Sequence, residues 1–338
     1  MKISKRVAIL ITIIFIILIF HNVDFKKLFT TFHFFNYKIL IPFSLLYIIA
    51  LIIRGLRWKC LIPEDKEFRI SELSSVYATG ATLNVLLPAR AGDFYRAYFI
   101  GKKHNRNKLE IFASVFLERI FDGLTVLSIL LFAMFTYNKT PFMVKLSTLA
   151  FIFFGGSLLF AYLLLRLNKT DYICEFFKNH LTKLFTNHTQ KICEIMEKIN
   201  LHLNFFIAGF KPLMSAKNMF LASISSITIW LIECYMIFIL TNAFGLNIVF
   251  SAALFVVSFI ALATIIPSTS IYIGPFQYAF VLALGMYHIN KEKSLAIAFT
   301  FQTITFLILA CAFIYFICKN HLNFTQIKNS SIEESNNL

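Results

Sequence analysis

The feature that most constrains this chain is a series of apolar runs about as long as a bilayer is thick. A helix needs roughly 20 apolar residues to cross hydrocarbon, with a working range of about 17–25. Runs of that kind lie near residues 5–22, 39–58, 112–136, 146–165, 219–241 and 294–318, and the first is the shortest. In lipid every backbone polar group must be satisfied within the protein, so runs of this length read as helices. With 58% hydrophobic residues, 14% charged residues and 41 Phe, the expected fold class is an all-α polytopic membrane protein with about six full spans.

Two further apolar regions, 73–100 and 250–289, are interrupted in the middle. In the first, LLP (86–88) leads to GDFYRAYF (92–99); in the second, IIP (265–267) leads to GPFQYAFV (274–281). Pro88, Gly92, Pro267 and Gly274 are the expected helix-breaking residues, since proline removes a donor and glycine relaxes the backbone. Gly, Phe and Ala recur at the first, third and sixth positions of the two stretches. With six spans, the first broken segment enters and leaves on one side and the second on the other. That is the pattern of re-entrant helical hairpins in inverted arrangement, whose broken helices meet near the midplane and form a binding site. The alternative counts 250–266 and 276–289 as two full spans, giving eight.

Lys and Arg set the orientation. Segments 1–6, 54–72, 101–110, 166–218 and 319–338 carry 22 of them, against 7 in segments 21–38, 137–145, 241–249 and 290–293. The first group is expected in the cytoplasm, with both termini inside and the chain in the cell inner (cytoplasmic) membrane. The same distribution explains the net charge of +15 as topology signals facing anionic headgroups, so no nucleic acid is expected. The N-terminal MKISKR and the apolar residues 7–20 lack a small-residue cleavage site, and they read as an uncleaved first span. Cys60, Cys174, Cys193, Cys234, Cys311 and Cys318 show no metal-ligand spacing, so neither a disulfide, a metal nor a cofactor is expected.

Residues 166–218 form the longest non-spanning piece. Ile173, Phe176, Phe177, Leu181, Leu184 and Phe185 recur at helical spacing, and so do Ile192, Ile195, Met196, Ile199 and Leu203. Two amphipathic helices on the cytoplasmic membrane surface are expected there. Residues 1–318 then make one transmembrane domain, and the polar stretch 319–338 a disordered cytoplasmic tail.

Charges inside apolar segments are costly and point to partners or a polar cavity. Arg90, Asp93 and Arg96 follow the first break, with Asp93 and Arg96 spaced to pair with each other on a helix; the alternative is a surface loop where charge costs nothing. In FLERIFDG (116–123), Glu118 and Asp122 share a helix face with Arg119 between them, and Arg90 or Arg96 are natural partners. This cluster is either a site or a structural ion-pair network that holds the hairpin. Arg54 and Arg57 close the second span beside Trp58 and read either as boundary residues or as a guanidinium pair for lipid phosphate. From Cys234 to Asn290 there is no formal charge, so Ser268 and Gln277 supply polar contacts there, to a headgroup or to the broken helix. No GxSxG, HExxH or P-loop pattern is present.

The residues PARAGDFYRAYF (88–99), ERIFDG (118–123) and IPSTSIYIGPFQYA (266–279) together resemble the lysylphosphatidylglycerol synthase transmembrane region family, the flippase-like integral membrane proteins. The resemblance extends over roughly residues 5–318. Two departures stand out: Asp93 replaces the usual Glu, and Gln277 replaces the Glu of the late motif. The resemblance implies a fold with two re-entrant hairpins and a role in handling polar lipids. Lysyl transfer by this chain alone is not expected, since no separate aminoacyl-transfer domain is present.

Two functions follow. The first is a membrane-embedded lipid translocator for a polar, anionic phospholipid or polyprenyl-phosphate-linked lipid. The second is a lipid-modifying transferase of the lysylphosphatidylglycerol synthase or glycosyltransferase type, in which Glu118, Asp122 or Asp93 acts as general base. The expected partners are membrane lipids with an anionic headgroup or polyprenyl phosphate, and a second copy of the chain or a lipid-synthesis enzyme.

Overall fold

The computed structural model of the chain describes residues 12–21, 23–63, 68–87, 90–136, 141–167, 174–175, 178–182, 189–264 and 273–322. Among them all regular structure is helical. The apolar runs appear as α1 (12–20), α3 (Leu40–Leu61), α6 (Lys108–Thr136), α7 (Pro141–Leu167), α9 (Ala216–Ala243) and α12 (Lys291–Asn320). Three helical segments, Tyr37–Leu61, Ala216–Ala243 and Lys291–Asn320, are long and apolar enough to cross a membrane. A short helix that the hydropathy pattern did not announce, α2 (Phe25–Thr31), starts at Asp24, whose carboxylate accepts from the Lys27 amide at 3.1 Å.

The broken regions are α4 (Ile70–Leu86) with α5 (Ala91–Lys103), and α10 (Phe250–Ala263) with α11 (Pro275–Gly285). Each pair folds back on itself. In the first, Asn84 donates to Asp93 at 3.1 Å near the turn, and Lys103 reaches Glu72 at 2.7 Å at the open end. In the second, the rings of Phe255 and Tyr287 lie 6.2 Å apart at the end away from the break. Pro88, Pro267 and Ser268 lie outside the described residues. Gly274 behaves as a breaker: it is the N-cap of α11 with φ of 106°, a conformation that an L side chain resists. Gly92 does not. It sits inside α5, and the break at that hairpin is marked instead by Arg90, a non-glycine residue in the left-handed region with φ of 53°. What Gly92 supplies is closeness, since a Cβ there would collide with the carbonyl oxygen of Gly80 and bring α4 and α5 into overlap.

Of the two expected amphipathic helices, the second is α8 (Thr189–Ala208); the first falls largely outside the described residues, as does the tail beyond residue 322. Hydroxyls inside the apolar helices are satisfied locally, as when Thr82 and Thr125 bond the carbonyls of Ala78 and Phe121. The larger core joins α3, α6, α9, α10, α11 and α12 around buried residues such as Phe43, Phe255 and Phe280. A second core that includes Trp58 joins α3, α4, α5, the start of α6 and the end of α12. Facing away from both, Ile41, Leu45, Ile52, Phe153 and Phe160 are exposed, the apolar outer surface of a multi-pass membrane protein.

Candidate functional site

Four helices bring their charges to one place beside the first hairpin. α3 contributes Arg54 and Arg57, α5 Asp93 and Arg96, α6 Glu118, Arg119 and Asp122, and α9 Glu233. Arg57 holds Asp122 through two parallel bonds of 2.6 and 3.3 Å and also donates to Ser226 at 3.1 Å. Trp230 completes the shell of Asp122 with an indole N–H bond of 3.1 Å. Arg96 bonds Glu118 at 2.5 Å, and Arg119 straddles Asp93 at 2.8 and 3.1 Å. Arg54 pairs with Glu233. Longer contacts link these pairs into one network: Arg57 to Glu118 at 3.6 Å, Arg96 to Asp93 at 3.7 Å and Arg119 to Asp122 at 3.6 Å.

Aromatic rings replace water around the guanidinium groups. Arg96 lies over Trp58 at 4.0 Å and over Tyr77 at 4.5 Å, and Tyr77 also faces Arg54 at 5.7 Å. Arg57, Arg96 and Glu118 are buried almost completely. Polar capacity is left over even so: Nε of Arg57, Nε and Nη1 of Arg96 and Oε1 of Glu118 have no hydrogen-bond partner among the described residues.

The charges balance. Four arginines, 54, 57, 96 and 119, meet four carboxylates, 93, 118, 122 and 233. Arg90 stands outside this balance. Among the described residues it makes no hydrogen bond or ion pair, and only a through-space attraction links it to Asp93. It opens instead onto a cavity of about 220 Å³, whose polar wall is Arg119, Asp122 and Trp230 and whose apolar wall includes Phe154, Ala261 and Leu262.

Sequence reasoning grouped Arg54, Arg57, Arg90, Asp93, Arg96, Glu118, Arg119 and Asp122, and these residues do converge. Of the two partners expected for the 118–122 cluster, Arg90 or Arg96, it is Arg96 that holds Glu118, while Asp122 is held by Arg57. Gln277 bonds outside the network. Its side chain accepts from the Gly274 amide at 2.8 Å and donates to Gln302 at 2.5 Å, closing the start of α11. Asn84, Tyr77, Ser226, Trp230 and Glu233 were missed. Glu233 carried a readable signal, an isolated carboxylate deep in an apolar span; the others are ordinary residues for such helices.

The sequence profile described as the lysylphosphatidylglycerol synthase TM region matches residues 6–312. A UPF0104 membrane protein of Methanocaldococcus jannaschii is 23% identical over 248 residues, covering 71% of this chain and 95% of the relative. A glycosyltransferase, AglD, of Haloferax volcanii is 32% identical over 84 residues, which are 25% of this chain and only 14% of that enzyme. No solved structure matches the chain.

Proposed function

Because this chain belongs to the lysylphosphatidylglycerol synthase transmembrane region family and is a lipid-related membrane protein, we propose that it moves an anionic polar lipid across the bilayer without altering it. The observation that carries the reading is Arg90: a guanidinium with no ion-pair partner among the described residues, at the break of a helical hairpin, facing a half-apolar cavity beside a network that is otherwise neutral. A guanidinium fork suits phosphate oxygens, and a phosphate arriving there brings the charge that the site lacks. The acyl or polyprenyl chains stay in the hydrocarbon while the headgroup passes between hairpins.

In this reading α4–α5 and α10–α11 are re-entrant, in inverted arrangement, and six full spans surround them. Residues 1–318 act as one domain in the cell inner membrane, with both termini in the cytoplasm. Asp93, Arg96, Glu118, Arg119 and Asp122 form the charged lining, Arg54 and Arg57 fix it, and Gln277 shapes the opposite hairpin.

The match to a glycosyltransferase favours a second reading, membrane-embedded group transfer. Against it, Asp93, Glu118 and Asp122 are each engaged by an arginine, so the use of any of them as a general base breaks an ion pair.

The test is transbilayer movement of a fluorescent phosphatidylglycerol in proteoliposomes, read by quenching of the outer leaflet, with mass spectrometry of the extracted lipids. Movement faster than in empty liposomes with unchanged lipid is expected. Arg90→Ala is expected to slow it about tenfold or more, the loss of one hydrogen bond to a charged group, with Arg90→Lys between. Rates equal to empty liposomes for phosphatidylglycerol and for polyprenyl phosphate overturn the reading, and a modified lipid favours transfer.

A further inference from the structure

A second apolar site lies away from the arginine cavity, where α8 meets the first turns of α6. Ile195, Ile199, Leu203 and Phe206 form one stripe of α8 and face Leu109 and Phe112 across a groove of about 510 Å³. The groove is part of the built structure. Gly209 brings the end of α8 so close to α6 that a Cβ would collide with the Glu110 carbonyl, and the rings of Phe206 and Phe116 lie 6.2 Å apart. Yet Ile195 and Ile199 are 47% and 42% exposed, so among the described residues a large apolar surface lacks a cover. Residues 178–182 do not provide one. Lys178 reaches α8 on its other side, at Glu197, 3.5 Å away.

Two observations say what covers it. The first is continuity: Phe116, one turn beyond Phe112, is 44% exposed and its ring meets that of Phe206, so the apolar surface of the groove continues along the outer side of α6. The second is charge. Lys198 lines the groove, Lys191 lies one helical turn before Ile195 on the same side, and Lys108 adjoins Leu109. Of the glutamates on α8, Glu197 is turned to Lys178 and Glu194 flanks the groove without lining it. An apolar slot that opens into a lipid-facing surface and carries lysines at its rim matches an amphiphile with one chain and a negative head.

We propose that this groove binds one acyl chain of an anionic phospholipid, with the phosphate against Lys198 and Lys191, as a lipid site separate from the arginine cavity. The site is independent of the translocation reading, because none of its residues lines that cavity. The bound lipid anchors α8 at the interface and makes its position depend on the charge of the membrane.

The test uses the full chain with a benzophenone side chain in place of Leu203, in liposomes of equal phosphatidylglycerol and phosphatidylcholine, and identifies photo-adducts by mass spectrometry. Phosphatidylglycerol adducts are expected to exceed phosphatidylcholine adducts by about fivefold, as lysines near an anionic lipid require. Lys191→Glu with Lys198→Glu is expected to bring the ratio to parity while total lipid adduct persists, which shows that the variant still folds and still seats a chain. Ile199→Asp is expected to remove both adducts. Equal labelling of the two lipids by the parent chain overturns the proposal, as does cross-linking to a second copy of the chain or no adduct at all.

Discussion

Around the hairpin α4–α5, Asp93, Arg96 and their partners on α3 and α6 are buried as ion pairs, whereas α10–α11 carries no formal charge, caps its second arm through Gln277 and Gly274, and packs its arms through the rings of Phe255 and Tyr287. The contrast concerns how each hairpin is able to move. Ion pairs with leftover donors, such as Nη1 of Arg96, have alternative partners a few ångströms away. The described part of the neutral hairpin is held by shape and by Gln277, which bonds the Gly274 amide and Gln302, and its motion requires repacking. The charged hairpin is therefore the one suited to rearrange around a ligand, with the neutral one as its fixed counterpart.

The largest effect that breaks this contrast is expected at Glu118. Glu118→Ala strands Arg96 in the interior and is expected to cost about 3–5 kcal/mol, read as a loss of melting temperature in detergent. The double variant with Arg96→Ala is expected to recover part of that loss; strictly additive losses would show that the pair is not coupled. Next come the two glycines. Gly92→Ala pushes α5 off Gly80 and Gly274→Ala strains a positive φ, each expected to cost about 1–3 kcal/mol in the same assay. Gln277→Leu removes the acceptor of the Gly274 amide and is expected to cost about 1 kcal/mol, with no change in salt dependence.

The smallest effect is at the open end of the first hairpin, outside the apolar spans. Burial pushes the Glu72 carboxyl up, but Lys103 and His104 outweigh it and hold the carboxyl below its ordinary value. A depressed carboxylate stabilises the fold fully above its unfolded value, roughly 4.3, and that contribution disappears as pH falls through the folded value. The melting gap between the natural chain and Glu72→Gln is expected to be about 1 kcal/mol or less, constant from about pH 7 to 5 and closing below about 4. A gap that grows as pH falls would reverse the assignment.

Much of this was legible in the sequence, and the limits have physical causes. Run length alone located α3, α6, α7, α9 and α12, because hydrocarbon thickness fixes the length of a span. Proline and glycine marked both breaks, although Gly92 turned out to serve packing and Arg90 to take the strained backbone. Charges in apolar surroundings announced the site. Their pairing did not show, because Arg57 meets Asp122 across 65 positions of chain and local spacing says nothing about such contacts. Tyr77 and Asn84 escaped for a different reason: neither is costly in a helix, so neither stands out until its neighbour is known.

The arginine network also dictates an order of events during synthesis. Arg54 leaves the ribosome 179 residues ahead of Glu233, a delay of roughly 10–35 s at ordinary elongation rates. Through that interval a guanidinium near the end of α3 has no lasting counterion, at a cost of about 2.5–3.5 kcal/mol in hydrocarbon unless water or headgroups shelter it. Helix α3 must therefore wait at the insertion machinery or the interface until α6 and then α9 arrive. A chain truncated before Glu233 is expected to stay accessible at Cys60 to a water-soluble thiol reagent, whereas in the finished protein Cys60 is buried.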